Sequence, residues 1–158
     1  MITRQRKVYL TKEGLKRIKK EYEDLKKIWN AKAKNEPEVL HSEEINPEYL
    51  SFFEDVGFLE ARITELENIL RNYTLIKKPP KEKQNVVDLG ATVVLETPAG
   101  LDEFTIVGSF EANPSVGKIS NESPIGKMLL GKKVGDVVEI NSPIKAVYKI
   151  KKIKYNIS

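Results

Sequence analysis

Residues 35–48 read NEPEVLHSEEINPE and hold five carboxylates, Glu36, Glu38, Glu43, Glu44 and Glu48, with no basic residue among them. Oxygen ligands at this density suit a hard cation such as Mg²⁺, or an acidic surface that meets a basic cavity. The plainer reading is a solvated acidic loop. Composition removes most other chemistry. Cysteine is absent, so disulfides, thiolate metal sites and a cysteine nucleophile are excluded. His41 is the one histidine, which excludes a His-rich zinc site and a two-His metalloprotease motif, and no Ser/His/Asp arrangement is argued from it. The chain carries no P-loop, GxGxxG or GxSxG motif.

The elements flanking the acidic stretch are helical. Leu15, Ile18, Tyr22, Leu25 and Trp29 are spaced 3, 4, 3 and 4 apart, a heptad stripe. Thr11 is placed to cap this helix, and Glu13 sits near the positive end of its dipole. A second stripe runs Phe52, Val56, Leu59, Ile63, Leu66 and Leu70, with Asn46 as its cap and Pro47 at its first position. Helices over about 11–34 and 47–72 follow. Residues 1–34 hold 12 Lys/Arg and 4 Asp/Glu, whereas residues 35–70 hold 1 and 10. A basic helix beside an acidic one favours an antiparallel coiled coil over residues 1–76 with its tip at 35–48. Such a hairpin has a thin core and serves as a device for reach.

Residues 77–84, KKPPKEKQ, read as a linker. Beyond it, residues 85–158 read as a small β domain. Strands are expected at Thr92–Thr97, Glu103–Ser109, Lys118–Ser120, Lys133–Asn141 and Ala146–Tyr155, the last with Val147, Ile150 and Ile153 facing inward against lysines. Ser123–Gly131 (SPIGKMLLG) predicts one short helix, capped by Ser123, opened by Pro124 and closed by Gly131. The fold class is α+β, a helical hairpin followed by a mostly antiparallel sheet with one short helix. Lys149, Lys151, Lys152 and Lys154 lack interleaved stacking aromatics and read as the wet face of a strand. No apolar run reaches the roughly 20 residues of a membrane span, and the N-terminal MITRQRKVYL lacks the apolar region of a secretory signal, so a soluble, cytoplasmic protein is expected; it is also expected to be a monomer.

The order of these parts resembles the Gre-type (GreA/GreB) transcript cleavage factors of bacterial RNA polymerase. The matching segments are Tyr9–Lys26, Asn46–Tyr49, Gly57–Leu70, Leu89–Leu95, Phe104–Gly108 and, most specific, SPIGKMLLGKKVGDVVEI at Ser123–Ile140. The resemblance implies an N-terminal antiparallel coiled coil and a C-terminal domain like FK506-binding proteins. It implies that the latter docks on RNA polymerase at the rim of the secondary channel, here through Ser123, Pro124, Ile125 and Gly126. The coiled coil then enters the channel, and tip carboxylates help hold a second Mg²⁺ at the polymerase's own active site. The nascent RNA 3′ end of a backtracked complex is cleaved there. On this reading the protein is an activator rather than an enzyme and has no cofactor of its own. DNA binding also comes with the resemblance.

The tip departs from the family pattern, which resembles Asp-Leu-Ser-Glu-Asn-Ala-Glu-Tyr with its first Asp and first Glu as the acids. This chain reads Ser42-Glu43-Glu44-Ile45-Asn46-Pro47-Glu48-Tyr49. A hydroxyl and a sec-butyl side chain stand where carboxylates are expected. Glu43 and Glu44 are the candidate replacements. The hairpin is also about three residues shorter than the family pattern, about 4.5 Å of helix. Two readings follow: a cleavage factor working through Glu43 and Glu44, or a non-cleaving relative that occupies the channel and modulates the polymerase. A third, a prolyl isomerase, fits poorly, because Phe104, Phe110, Tyr148 and Tyr155 are a thin supply for an aromatic proline pocket.

Overall fold

Thr11 starts the first long helix as its residue type predicts. Its hydroxyl accepts the Gly14 N–H at 3.1 Å, satisfying one of the donors that a helix N-terminus leaves free. The structure, a computed structural model, describes residues 7–34, 47–141 and 145–157. It divides into two compact units, one of residues 15–72 and one formed by residues 7–14 with 73–157.

The helical unit contains α1 (Lys12–Lys34, whose first turn belongs to the other unit) and α2 (Pro47–Asn72). Side-chain contacts set their direction. Tyr22 meets Glu67, Trp29 meets Glu60 and Lys32 meets Asp55, so numbers fall along α2 as they rise along α1 and the helices are antiparallel. Leu15, Ile18, Tyr22, Leu25 and Trp29 are half-buried. In α2, Ile63 and Leu66 are buried, with Phe52, Val56, Leu59 and Leu70 half-buried around them. Ile69, outside the expected stripe, is also buried.

Pairing between the helices only partly follows the charge blocks. Lys32–Asp55, at 3.3 Å, has the expected sense. Arg62 runs the other way: a cation on the acidic helix, it donates from Nε and Nη2 to the two oxygens of Glu21 at 2.8 and 3.1 Å. The hydrogen bonds that Arg62 donates to Glu21 and then to Glu65 raise its pKa further above its usual value, so this exposed guanidinium is fixed as a cation. Two more α2 carboxylates are met by aromatic donors of α1, Tyr22 Oη on Glu67 at 2.9 Å and Trp29 Nε1 on Glu60 at 3.2 Å. Neutral donors therefore answer part of the acidity of α2, which counting charges cannot reveal.

The other unit holds a five-stranded sheet. Its strands are β3 (Ala91–Thr97), β4 (Gly100–Val107), β5 (Lys118–Ser120), β6 (Val137–Ile140) and β7 (Ala146–Tyr155), in the order β5-β4-β3-β7-β6. All pairs are antiparallel except β4–β5. Val93, Leu95, Ile106, Leu129, Val138 and Ile150 form the centre of the core. A second, parallel pair joins β1 (Val8–Leu10) to β2 (Tyr73–Leu75), with Leu10 fully buried. Sequence analysis counted both segments with the helices. Strands of three residues have no visible period, and here their partner lies more than sixty residues away.

Three sequence expectations for the sheet are corrected. Val147 does not face inward; it is half exposed. Ile150 and Ile153 are three residues apart, and two such residues share a face only if the strand slips by one. A β-bulge supplies the slip: Leu95 pairs with Ile150 but Val94 pairs with Lys152, leaving Lys151 as the extra residue. Tyr148 and Ile150 therefore point inward before the bulge, Ile153 and Tyr155 after it, and Val147 points outward. The strand expected at Lys133–Asn141 is shorter, Val137–Ile140, because Lys133–Asp136 forms a turn. There Lys133 N–H donates to Asp136 Oδ2 at 2.8 Å, and Gly135 takes φ +92°. The return strand starts at Gly100 rather than Glu103 and ends at Val107, because the turn is a two-residue loop, Pro98-Ala99, closed by Thr97↔Gly100 pairing.

Among the described residues no helix is long and apolar enough to cross a membrane. The expected linker contains a 3₁₀ turn at Lys81–Lys83, and Gln84 Nε2 donates to the Pro79 carbonyl at 2.8 Å.

Candidate functional site

The Ser-Pro-Ile-Gly segment opens α3 (Pro124–Leu129) as predicted, and its geometry is tightly specified. Ser123 caps the helix, its Oγ accepting the Gly126 N–H at 3.1 Å. The same hydroxyl donates to the Ser120 carbonyl at 2.6 Å, and the Ser123 N–H donates there at 3.0 Å. Gly126 is buried against that carbonyl. A Cβ on it would overlap the Ser120 oxygen and lie 3.0 Å from Ser123 Oγ. Ile125 is half-buried and leans on the core, so much of its surface serves packing. Pro124 and Lys127 are exposed and form the outward side of the segment.

Serine and carboxylate side chains brace this segment from behind. Ser109 Oγ lies 2.8 Å from Ser120 Oγ and donates to Glu122 Oε2 at 3.0 Å, and the Glu122 N–H donates to Ser120 Oγ at 3.0 Å. Ser109 belongs to a 3₁₀ turn, Ser109–Glu111, whose Phe110 is half exposed. At the end of the same turn, Glu111 accepts the Thr11 N–H at 2.7 Å and the Thr11 hydroxyl. Sequence analysis missed Ser109, Ser120, Glu122 and Glu111. No pattern announces them, since Thr11 and Glu111 stand 100 residues apart.

Ser42, Glu43, Glu44, Ile45 and Asn46 lie outside the described residues. Pro47 is the first residue of α2, with Glu48 and Tyr49 in its first turn. Among the described residues no group of three or more His, Cys, Asp or Glu could hold a metal ion.

Comparison with known proteins decides the family. Residues 8–75 match "Transcription elongation factor, N-terminal", and residues 81–155 match "Transcription elongation factor, GreA/GreB, C-term". The chain belongs to the GreA/GreB family. It is 39% identical over 140 residues to transcription elongation factor GreA of Thermomicrobium roseum, covering 87% of this chain and 90% of that one. It is 43% identical over 145 residues to GreA of Bacillus licheniformis, covering 88% and 91%. Among solved structures, GreA factor homolog 1 (Gfh1) of Thermus thermophilus matches with 29% identity and a TM-score of 0.41, covering 94% of this chain and 99% of that one. The protein is thus a transcription elongation factor of the Gre family.

Within this GreA/GreB chain the lysines of β7 are partly neutralised on the sheet itself. Lys151 pairs with Glu96 at 3.1 Å and Lys154 with Glu103 at 3.4 Å. That arrangement agrees with a wet strand face and lends DNA binding no support.

Proposed function

We propose that this elongation factor binds RNA polymerase at its secondary channel through Ser123–Gly126 and carries its acidic tip to the polymerase active site. There it promotes cleavage of the transcript in backtracked or arrested complexes. The observation that carries the docking half is the build of the segment. Backbone hydrogen bonds and a glycine without room for a side chain fix its shape, while Pro124 and Lys127 stay outward. A surface that is rigid before binding loses less entropy on contact.

For the tip, Glu43 and Glu44 are the donors of the right type, since Mg²⁺ prefers hard carboxylate oxygens. A second metal in a phosphodiester hydrolysis activates water and neutralises developing charge. The residues of this chain would serve only to hold that ion in the polymerase site. The catalyst is then the polymerase, and this protein its activator. RNA polymerase is its partner, with the RNA 3′ end within reach.

A specific observation favours a second reading. Ser42 and Ile45 stand where the family pattern has its acids, which suits a channel-occupying modulator that does not stimulate cleavage. One experiment separates the two. Cognate polymerase is stalled in a backtracked complex, the protein is added with Mg²⁺, and RNA length is followed on a gel. Shortened RNA that can be re-extended supports cleavage. Unshortened RNA, with displacement of an authentic cleavage factor, supports the modulator. Neither shortening nor displacement refutes both.

A further inference from the structure

The Ser109–Glu111 turn holds two things at once. Through Ser109 it braces Ser120 and Glu122, the residues immediately before the Ser123 cap. Through Glu111 it holds the start of α1, the helix that leads toward residues 35–48. A carboxylate at a helix N-terminus is favoured by the dipole and by charge-assisted hydrogen bonds. Here it works alongside the local cap: Glu111 takes the Thr11 N–H and hydroxyl, while Thr11 Oγ1 takes the Gly14 N–H. Gly14 makes room for the arrangement. It is buried, and a Cβ on it would overlap the Glu111 carboxyl group, with Oε2 at 2.8 Å.

We propose that Glu111 is a positioning residue: its carboxylate ties the first turn of α1 to the turn that braces the docking segment, so that a docked factor acts on the transcript only when this tie is made. The inference rests on the polymerase-docking reading above. It requires reach more than charge. Glutamine at 111 keeps the length and one accepting oxygen, whereas aspartate keeps the charge but is one methylene short.

The test uses the full chain with Glu111→Ala, Glu111→Gln and Glu111→Asp. Amide exchange at Thr11 and Gly14 reads the tie directly. Competition with labelled wild-type factor on backtracked polymerase reads affinity. Change in RNA length or extension rate at saturating factor reads action. Glu111→Ala is expected to speed Thr11 exchange about fivefold, the size of one lost cap. Affinity should stay within about twofold while the saturated response falls several-fold, and Gln should restore more of both exchange protection and response than Asp. Unchanged Thr11 exchange overturns the tie. Affinity and response falling in proportion overturns the positioning role, and so does rescue by Asp equal to that by Gln. If the wild-type protein neither competes nor alters the transcript, the docking reading fails and the positioning role with it. The exchange result still reports separately on whether the tie exists.

Discussion

Replacing Gly126 by alanine separates two explanations for a glycine in a docking segment. If Gly126 is there so that a partner can approach, alanine costs binding and spares the fold. The structure predicts a cost to the fold. The new methyl group would overlap the Ser120 carbonyl oxygen and lie 3.0 Å from Ser123 Oγ, where ordinary contact begins at 3.4 Å. Its closest obstacle is backbone, which cannot rotate away. Relief must come from moving the start of α3 away from Ser120, stretching the 2.6 Å and 3.0 Å bonds that Ser123 donates to that carbonyl. Overpacking of this kind costs about 1–3 kcal/mol, and a weakened cap adds about 1 kcal/mol. The better helix propensity of alanine returns up to about 1 kcal/mol. The net is a loss of about 2 kcal/mol. For a unit of this size that corresponds to a drop in Tm of about 8–16 °C.

Gly57→Ala is the internal control. Gly57 is exposed in the middle of α2, and a Cβ on it meets nothing within 4 Å. Only propensity operates there, so alanine should stabilise α2 by about 0.5–1 kcal/mol. Thermal and urea unfolding followed by circular dichroism, beside polymerase competition, makes the comparison. A Gly126→Ala protein that melts with the wild type yet loses polymerase binding would refute the steric argument and make Gly126 a contact residue.

Other perturbations test the remaining parts. Glu43→Ala/Glu44→Ala should abolish RNA shortening in the cleavage assay while leaving competition for the polymerase largely intact; shortening that survives the double change removes these residues from the mechanism. Arg62→Ala should cost under about 1 kcal/mol, since Arg62, Glu21 and Glu65 are all well exposed, and the cost should shrink at 1 M salt; a larger loss, insensitive to salt, would mean that Arg62 acts through packing. Tyr155 donates its hydroxyl to the Val86 carbonyl and accepts the Asp88 N–H at 3.0 Å, and burial raises its pKa above the ordinary tyrosine value. The unfolded chain therefore releases this proton first as pH rises through about 10, and stability falls from there upward. Tyr155→Phe should cost about 1–2 kcal/mol at neutral pH and flatten that alkaline fall, as pH-dependent urea midpoints would show.

What could be read in advance followed from short-range rules. The heptad spacing from Leu15 to Trp29 and from Phe52 to Leu70 located both helices, and Ser123-Pro124 located α3 to the residue. Features that depend on distant partners stayed hidden. The β1–β2 pair joins residues more than sixty apart. The bulge at Lys151 shows only as an awkward spacing between Ile150 and Ile153, which looked like simple alternation until the register was known. Glu111 gave no signal at all, because a carboxylate in a surface turn is unremarkable until its partner is seen to be a helix N-terminus. Charge blocks suggested the helix pairing in the right sense overall but not all of its chemistry, since the neutral donors of Tyr22 and Trp29 meet carboxylates of α2.

The two ends of the proposed mechanism differ in what holds them, and this bears on the choice between cleavage and modulation. The docking segment is specified by main-chain atoms and small side chains: the Ser120 carbonyl, the Ser123 hydroxyl and the missing Cβ of Gly126. Changing any of these costs folding stability as well as contact, so docking and fold are tied together. The tip acids are different in kind. The five carboxylates within residues 35–48 are like charges that repel one another, and Ser42 and Ile45 stand where the family resemblance has acids. A chain of this family can therefore exchange its tip chemistry while keeping its docking surface. On the proposed mechanism, membership of the family carries the fold, and the outcome at the polymerase active site turns on whether Glu43 and Glu44 can serve as the acids. A chimera restoring Asp at 42 and Glu at 45 should then fold and compete as the wild type does. If it alone shortens RNA, the native tip is a modulator's; if wild type and chimera shorten RNA equally, Glu43 and Glu44 already do the acids' work.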